Sequence, residues 1–371
     1  MRVITLLGTR PDIIRLSRVI GALDNHFNHI LVHTGQNFDY DLNEVFFSEL
    51  EIRKPDHFLE VGGLQLADAI GQIISRFDNI LEIEKPDAML VLGDTNSALG
   101  VIPAKRRKIP IFHMEAGNRS FDLRVPEEIN RKIVDHTSDI NLPYTQIAKF
   151  YLVNEGFPID QIIVTGSPMR EVLNFYSDKI NNSKILDSLA LEKSKYFLVS
   201  CHREENVDVE ENLKNIIAAL LELHKNYGLP IIFSTHPRTR IRIDALNLGS
   251  LDGIIFQKPF GFIDYVKLQL DSLCVISDSG TITEEASILK FAAVNLRQAH
   301  ERPEGMEEMV AILSGVSSRD ILSSVNLAIG LFKNFKSSSV NDYSAFQVSS
   351  KIVGIIQSYT HYINRKVWKK F

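Results

Sequence analysis

Short runs of β-branched and other apolar residues alternate with helix-length amphipathic stretches from one end of the chain to the other. That alternation is the sequence form of βαβ units, so it predicts an α/β fold on parallel sheets. In the first half the predicted strands are Val3–Gly8, His29–Gly35, Ala88–Asp94, Pro110–Glu115, Ile140–Pro143 and Gln161–Gly166. In the second they are Tyr196–Cys201, Pro230–Thr235, Gly253–Gln257, Leu273–Asp278 and Phe291–Asn295. The run Ala88-Met89-Leu90-Val91-Leu92 is apolar throughout, as expected of a parallel strand covered on both faces.

The pattern weakens between Ser167 and Ser194 into Asn181-Asn182-Ser183 and a Lys-rich stretch, which predicts a crossing between two halves near residues 167–195. A second boundary is expected near Ser337-Ser338-Ser339, followed by a helical segment from Ser344 to Tyr359. A chain of 371 residues exceeds what one hydrophobic core usually serves. Two domains with a cleft are therefore expected.

Composition narrows the class without changing it. With 44% hydrophobic and 23% charged residues the chain reads as an ordinary globular protein. No segment approaches the roughly 18 consecutive apolar residues of a membrane span. Met1-Arg2-Val3-Ile4-Thr5-Leu6-Leu7 is followed at once by Arg10, Pro11 and Asp12, so it reads as a first strand and not a leader, and the location as cytoplasmic. Cys201 and Cys274 each adjoin an apolar run and are expected in the core, not in a disulfide. A net charge of -5 argues against nucleic-acid binding, and the basic tail from Arg365 to Lys370 reads as a solvated end.

Four polar constellations sit just past predicted strand ends, where open parallel sheets bind ligands. They are Gly93-Asp94-Thr95-Asn96, Met114-Glu115-Ala116-Gly117-Asn118-Arg119, Cys201-His202-Arg203-Glu204-Glu205-Asn206 and Ser277-Asp278-Ser279-Gly280-Thr281. A fifth, Pro126-Glu127-Glu128-Ile129-Asn130-Arg131, opens a helix, where Pro suits the first position and acids suit the positive end of the dipole. Free N–H groups around Ser279 and Gly280 suit a pyrophosphate, and Glu285 one turn on suits ribose hydroxyls. Gly8-Thr9-Arg10-Pro11 is a second strand-to-helix turn, with a cation suited to phosphate. No G-x-G-x-x-G follows the first strand, so a bound NAD is not expected. His113 and Glu115 alternate along a predicted strand and would face one side, but no third metal ligand stands at suitable spacing. Metal binding is thus poorly supported, with Asp94 and Glu115 as a magnesium pair the lesser alternative.

Together these segments resemble the non-hydrolysing UDP-N-acetylglucosamine 2-epimerases. The matching residues are Gly8-Thr9-Arg10-Pro11, Gly93-Asp94-Thr95, Glu115-Ala116-Gly117, Pro126-Glu127-Glu128 with Asn130-Arg131, His202-Arg203, Ser277-Asp278-Ser279-Gly280 and Glu301-Arg302-Pro303. They occur in the family's order over residues 1–315. The resemblance implies a GT-B-like pair of Rossmann-like domains with a cleft between them, usually as a homodimer. Domain limits of 1–170 with the C-terminal helix 342–371, and of 171–341, follow from it. It also implies a reaction without cofactor or metal: elimination of UDP from a UDP-N-acetylhexosamine to a 2-acetamidoglucal, then re-addition with a proton on the other face of C2. On the same basis Asp94, Glu115 and Glu127 form the acid/base set and His202 acts at the leaving phosphate or assists proton transfer. Arg10, His236, Ser279, Gly280 and Glu285 would hold UDP, with Arg131 and Arg302 near the phosphates or sugar. For His236 the alternative is a hydrogen-bonded histidine at a strand end.

Gly35-Gln36-Asn37-Phe38-Asp39-Tyr40 and Met114-Glu115-Ala116-Gly117-Asn118-Arg119, with the run from His300 to Glu308, are similar to a capsule and O-antigen subgroup that makes UDP-N-acetyl-L-fucosamine from its talosamine epimer. Asn37 replaces a His that belongs to an activating UDP-N-acetylglucosamine pocket in the glucosamine branch, so weak or absent activation is expected. Other readings are a GT-B glycosyltransferase, a hydrolysing epimerase and a sugar-nucleotide sensor; three internal carboxylates in the first half count against the transferase.

Overall fold

The computed structural model describes residues 1–35, 46–298, 302–334 and 339–370. Gln36 and Asn37, His300 and Glu301, and Ser337 and Ser338 lie outside the described residues. The chain forms two compact units, Met1–Phe175 with Asp342–Phe371, and Tyr176–Asn341.

Unit 1 holds a six-stranded sheet in the order β3-β2-β1-β4-β5-β6. The strands are β1 (Arg2–Leu7), β2 (Asn28–His33), β3 (His57–Phe58), β4 (Ala88–Leu92), β5 (Ile111–Met114) and β6 (Ile140–Leu142). All their pairings are parallel. Ile4, Leu6, Met89 and Val91 alternate onto one face and pack with Ile73, Phe77 and Leu81 of the helix Leu66–Glu84. Helix Arg10–His26 packs on the C-terminal helix Val348–Lys366. Strand order reverses between β1 and β4, and the crevice at such a switch point is the standing ligand site of open α/β sheets.

Unit 2 repeats the plan in the order β12-β11-β10-β7-β8-β9. Its strands are β7 (Phe197–Ser200), β8 (Ile231–Ser234), β9 (Ile254–Gln257), β10 (Cys274–Ser277), β11 (Ala293–Asn295) and β12 (Ile312–Leu313). Phe197 and Val199 belong to one buried cluster and Leu198 to another, because side chains alternate across a sheet covered on both faces. Here the reversal falls between β7 and β10.

Three expectations need correction. Gln161–Gly166 is not a strand: Ile159–Gln161 is a 3-10 turn, and the segment makes a single bridge, Asn141 to Ile162. The C-terminal helix runs Val348–Lys366, later and longer than Ser344 to Tyr359, with Arg365 and Lys366 in its last turn, where cations favour the helix dipole. The basic tail is not a free end. Lys366 meets Asp160 at 2.6 Å, Lys370 donates to the Lys108 carbonyl at 2.8 Å, and the Lys105 ammonium lies 5.3 Å from the Trp368 ring centroid.

Gly117 tests how tightly the turn after β5 is packed. It has φ +79°, and an added Cβ would stand 2.5 Å from the Ala148 carbonyl oxygen and 2.8 Å from Leu152. Gly156 also has positive φ, at +92°, but nothing within 4 Å. Gly117→Ala should cost on the order of 2–4 kcal/mol, and Gly156→Ala only about 1 kcal/mol, because only the first adds a clash to the backbone strain. Denaturant titration of both variants measures the difference; equal losses would mean that the backbone conformation alone sets the cost.

Candidate active site

The first-unit site grows from two turns at the carboxyl ends of neighbouring strands. β4 ends at Leu92, and Gly93, at φ +71°, turns the chain so that Asp94 follows. β5 ends at Met114, and Glu115 takes φ +63°, an unusual conformation for a residue with a side chain. Arg131, from the helix Pro126–Thr137, ties the turns together: one guanidinium nitrogen donates to the Asp94 carboxylate and another to the Glu115 carbonyl. Asn130 of the same helix donates to Asn96 at 3.0 Å. Asp94, Glu115 and Arg131 are thus brought together, with Glu115 and Arg131 buried.

Arg15, from the helix Arg10–His26, forms a buried ion pair with the Glu115 carboxylate. Asn118 lies 3.5 Å from the other Glu115 oxygen. Neither contact was anticipated. Asp12, also unanticipated, accepts from the N–H groups of Gly8 and Thr9, both at 3.0 Å. Burial pushes its carboxyl up to about 6 against those two hydrogen bonds, and the charge of Glu115 adds to the rise. The signal for Asp12 was legible: with Leu16, Val19 and Leu23 it occupies the helix's buried stripe, where a charged residue is out of place unless it has a task or a partner.

Beneath the turns lies Asp135, fully buried. It accepts from the Gly117 N–H at 3.2 Å, meets Arg119 at 2.8 Å, and has His113 Nδ1 at 2.9 Å. Burial alone would raise its carboxyl, but the hydrogen bond and charge of His113 and the charges of Arg119 and Arg131 hold it below the usual range. His113 Nε2 contacts the Gly93 carbonyl at 2.8 Å. His113 and Glu115 therefore do not present a shared face, because Glu115 lies past the strand end with its backbone in the left-handed region. Asp94 and Glu115 are each paired with an arginine, and among the described residues no three His, Cys, Asp or Glu side chains gather as metal ligands.

Glu127 stands elsewhere in character: it is exposed, in the first turn of the helix that carries Arg131. Its neighbour Glu128 is buried and accepts from the Ser120 N–H at 2.8 Å and hydroxyl at 3.1 Å, which fastens the loop before the helix. Arg10 opens its helix with its guanidinium 5.5 Å from the Phe46 ring centroid.

In unit 2 the loops after β7 and β10 meet. Ser279 caps its own turn, its N–H donating to Ser277 and its hydroxyl 2.9 Å from that of Thr281. Gly280 follows, and a Cβ there would stand 3.8 Å from Arg297, a buried guanidinium not anticipated from sequence. Glu285 lies in the first turn of the helix Ile282–Leu289 and accepts from Gln269 at 2.6 Å. His236 is exposed and caps the helix Pro237–Ala245, its Nδ1 accepting from the Arg238 N–H at 3.3 Å. Arg302 is buried, 3.5 Å from the fully buried Glu284. His202, half-exposed, has its Nδ1 3.3 Å from Asp278.

Two parallel six-stranded sheets of like strand order give the chain the architecture of the GT-B-like class. A family profile described as UDP-N-acetylglucosamine 2-epimerase matches residues 22–357, and the chain belongs to that family. A UDP-N-acetylglucosamine 2-epimerase structure from Rickettsia bellii is 50% identical, with each chain covered over 100% and a TM-score of 0.93. The Methanocaldococcus jannaschii UDP-GlcNAc 2-epimerase, solved in complex with UDP-GlcNAc and UDP, is 34% identical over 96% of this chain and 100% of that one, with a TM-score of 0.90. A Pseudomonas aeruginosa UDP-2,3-diacetamido-2,3-dideoxy-D-glucuronate 2-epimerase is 34% identical over 89% of this chain and 93% of its own. Among the described residues no helix is long and apolar enough to cross a membrane.

Asp12 gives the site a measurable pH signature. Its folded value of about 6 lies above the ordinary 3.8, so its contribution to stability is fully present below pH 3.8 and is lost as pH rises through about 6. Above that, the buried carboxylate costs on the order of 3 kcal/mol. Asp12→Asn keeps an acceptor for Gly8 and Thr9 and should flatten this slope, becoming more stable than the parent at pH 8 but not at pH 4. Denaturation midpoints at both pH values check this; a variant equally weakened at both would show that Asp12 acts only through its hydrogen bonds.

Proposed function

We propose that this chain interconverts UDP-N-acetylglucosamine and UDP-N-acetylmannosamine without hydrolysis. The observation that carries the reading is the pairing of Asp94 and Glu115 around Arg131 at the first unit's switch point, in a chain of this family. C2 of the sugar has no adjacent ring carbonyl to acidify its hydrogen, so loss of UDP from C1 must supply the driving force. A base takes the C2 proton, the C–H electron pair becomes the C1=C2 bond, and the C1–O pair leaves with UDP. Re-addition of UDP and protonation from the opposite face complete the epimerisation. The carbon framework returns at its starting oxidation level, so no redox cofactor is called for.

In this reading Asp94, Glu115 and Glu127 handle the protons, which needs groups on two faces of the sugar. Arg131 and Arg15 pair with Asp94 and Glu115 and aim them until substrate enters. Glu127, exposed here, is kept in the set by the family resemblance. His202 assists the leaving phosphate; His236, Ser279, Gly280 and Glu285 hold UDP with Arg10, and Arg302 stands near the phosphates. On the same resemblance the enzyme works as a homodimer in the cytoplasm, supplying capsule or O-antigen synthesis. The relative acting on a diacetamido-glucuronate supports testing other sugars, the talosamine epimer of UDP-N-acetyl-L-fucosamine first.

Incubating the protein with UDP-N-acetylglucosamine in heavy water, without NAD or added metal, should give the mannosamine epimer with deuterium at C2 of both sugar nucleotides. Free N-acetylmannosamine with UDP would make the enzyme hydrolysing; epimer that keeps its original hydrogen would sink the elimination route.

Asp94→Asn, Glu115→Gln and Glu127→Gln should each lower kcat on the order of 10²-fold or more, as when a positioned acid or base is neutralised. UDP affinity by calorimetry should change little. Collapse of UDP binding with a normal rate per bound enzyme would make these residues ligand holders instead.

A further inference from the structure

Asp278 is fully buried just past the end of β10, and its carboxylate meets the loop after β7. It accepts from the His202 N–H at 3.0 Å, the Arg203 N–H at 2.9 Å, Asn206 Nδ2 at 3.1 Å and the Cys201 thiol at 3.2 Å. Its other oxygen lies 3.3 Å from His202 Nδ1. Four donors converge on it, so one strand-end carboxylate organises the whole loop across the switch point between β7 and β10. Burial and the adjacent Asp278 push the Cys201 thiol well up, so it serves as a donor and not as a nucleophile.

We propose that Asp278 is a positioning residue for His202: it holds the proton on Nδ1 and leaves Nε2 as the working nitrogen. The chemistry follows from the two-faced imidazole, in which the hydrogen bond made by one nitrogen sets the tautomer and aim of the other. The His202 side chain is half-exposed, and among the described residues its Nε2 has no hydrogen bond. A fixed Nε2 can accept a proton from, or return it to, a phosphate oxygen at that loop without the ring having to reorient. The inference rests on the epimerase reading for what His202 acts upon, though not for its tautomer.

Nitrogen-15 spectra of the imidazoles in the full chain, with His202 assigned by its loss in His202→Asn, read the tautomer directly. Neutral His202 should carry its proton on Nδ1; an Nε2–H tautomer in the parent protein overturns the proposal, whatever the variants do. Asp278→Asn should shift His202 toward Nε2–H and lower kcat on the order of 10²-fold with KM little changed. In a His202→Asn background the same change should cost less than about 3-fold, since residues acting through one another are not additive. A full penalty in that background would make Asp278 merely structural. Asn206→Ala loosens the same loop, losing the bonds to Asp278 and to the Leu296 carbonyl at 2.8 Å, and should leave the tautomer unchanged. If it shifts the tautomer as far as Asp278→Asn does, loop order and not the Asp278 carboxylate sets it. Were the parent protein inactive on every UDP-sugar, the epimerase reading would fail while the spectra still decided the pair.

Discussion

A carboxylate with no access to water needs donors on every side, and in unit 1 that requirement falls on Asp135. Its partners are the residues that bound the turns carrying Asp94 and Glu115. His113 reaches from Asp135 to the Gly93 carbonyl, which sets the Asp94 turn, and the Gly117 N–H fixes the exit of the Glu115 turn. Arg119 completes the shell and is itself closed off by Glu155 at 2.6 Å. Removing one member would leave an uncompensated charge in the interior, which costs roughly 3–5 kcal/mol. The same shell bounds the turn in which Glu115 is held at φ +63°.

Above this anchor the charges are arranged in alternation. Asp94 meets Arg131, and Glu115 meets Arg15. Neighbouring acids repel unless cations stand between them, and here two arginines supply that compensation. Asp12 is held by the N–H groups of Gly8 and Thr9 and, among the described residues, is paired with no cation, so burial and the Glu115 charge raise it instead. Paired acids suit proton abstraction, and the arginines that pair them also offer charge for a diphosphate.

How much of this could be read in advance depends on the range of the interactions. The central strands were legible because their apolar runs are continuous. β3 and β12 were not, since two residues at a sheet edge carry no period. Ile162-Ile163-Val164 read as a strand for its β-branched run, yet only Ile162 finds a bridging partner. The glycine-bearing turns of the candidate site were legible for a local reason: Gly93 and Gly117 supply backbone conformations that other residues resist. The partners of the acids were not. Arg15 and Glu115 are 100 residues apart, and nothing in either neighbourhood names the other.

The two units share a strand order, and each uses a buried carboxylate near its switch point, but they differ in what surrounds it. In unit 1 the chain after β1 approaches so closely that a Cβ on Gly8 would overlap Ser97 and Thr34, whose hydroxyls lie 2.8 Å apart. Close packing joins the turns after β1, β2 and β4 there, Asp135 fastens the turns after β4 and β5, and the carboxylates of Asp94 and Glu115 are each met by an arginine. In unit 2 a carboxylate does the joining. Asp278 spends its lone pairs on the donors of the β7 loop, so its charge is compensated inside the protein, and what the loops present outward is a histidine, hydroxyls and a glycine. An acid-lined switch point suits proton transfer at carbon, and one whose acid is turned inward suits an anion. The division of labour proposed for the two units accords with the residues at each switch point: acids paired with arginines in unit 1, a histidine, hydroxyls and a glycine in unit 2.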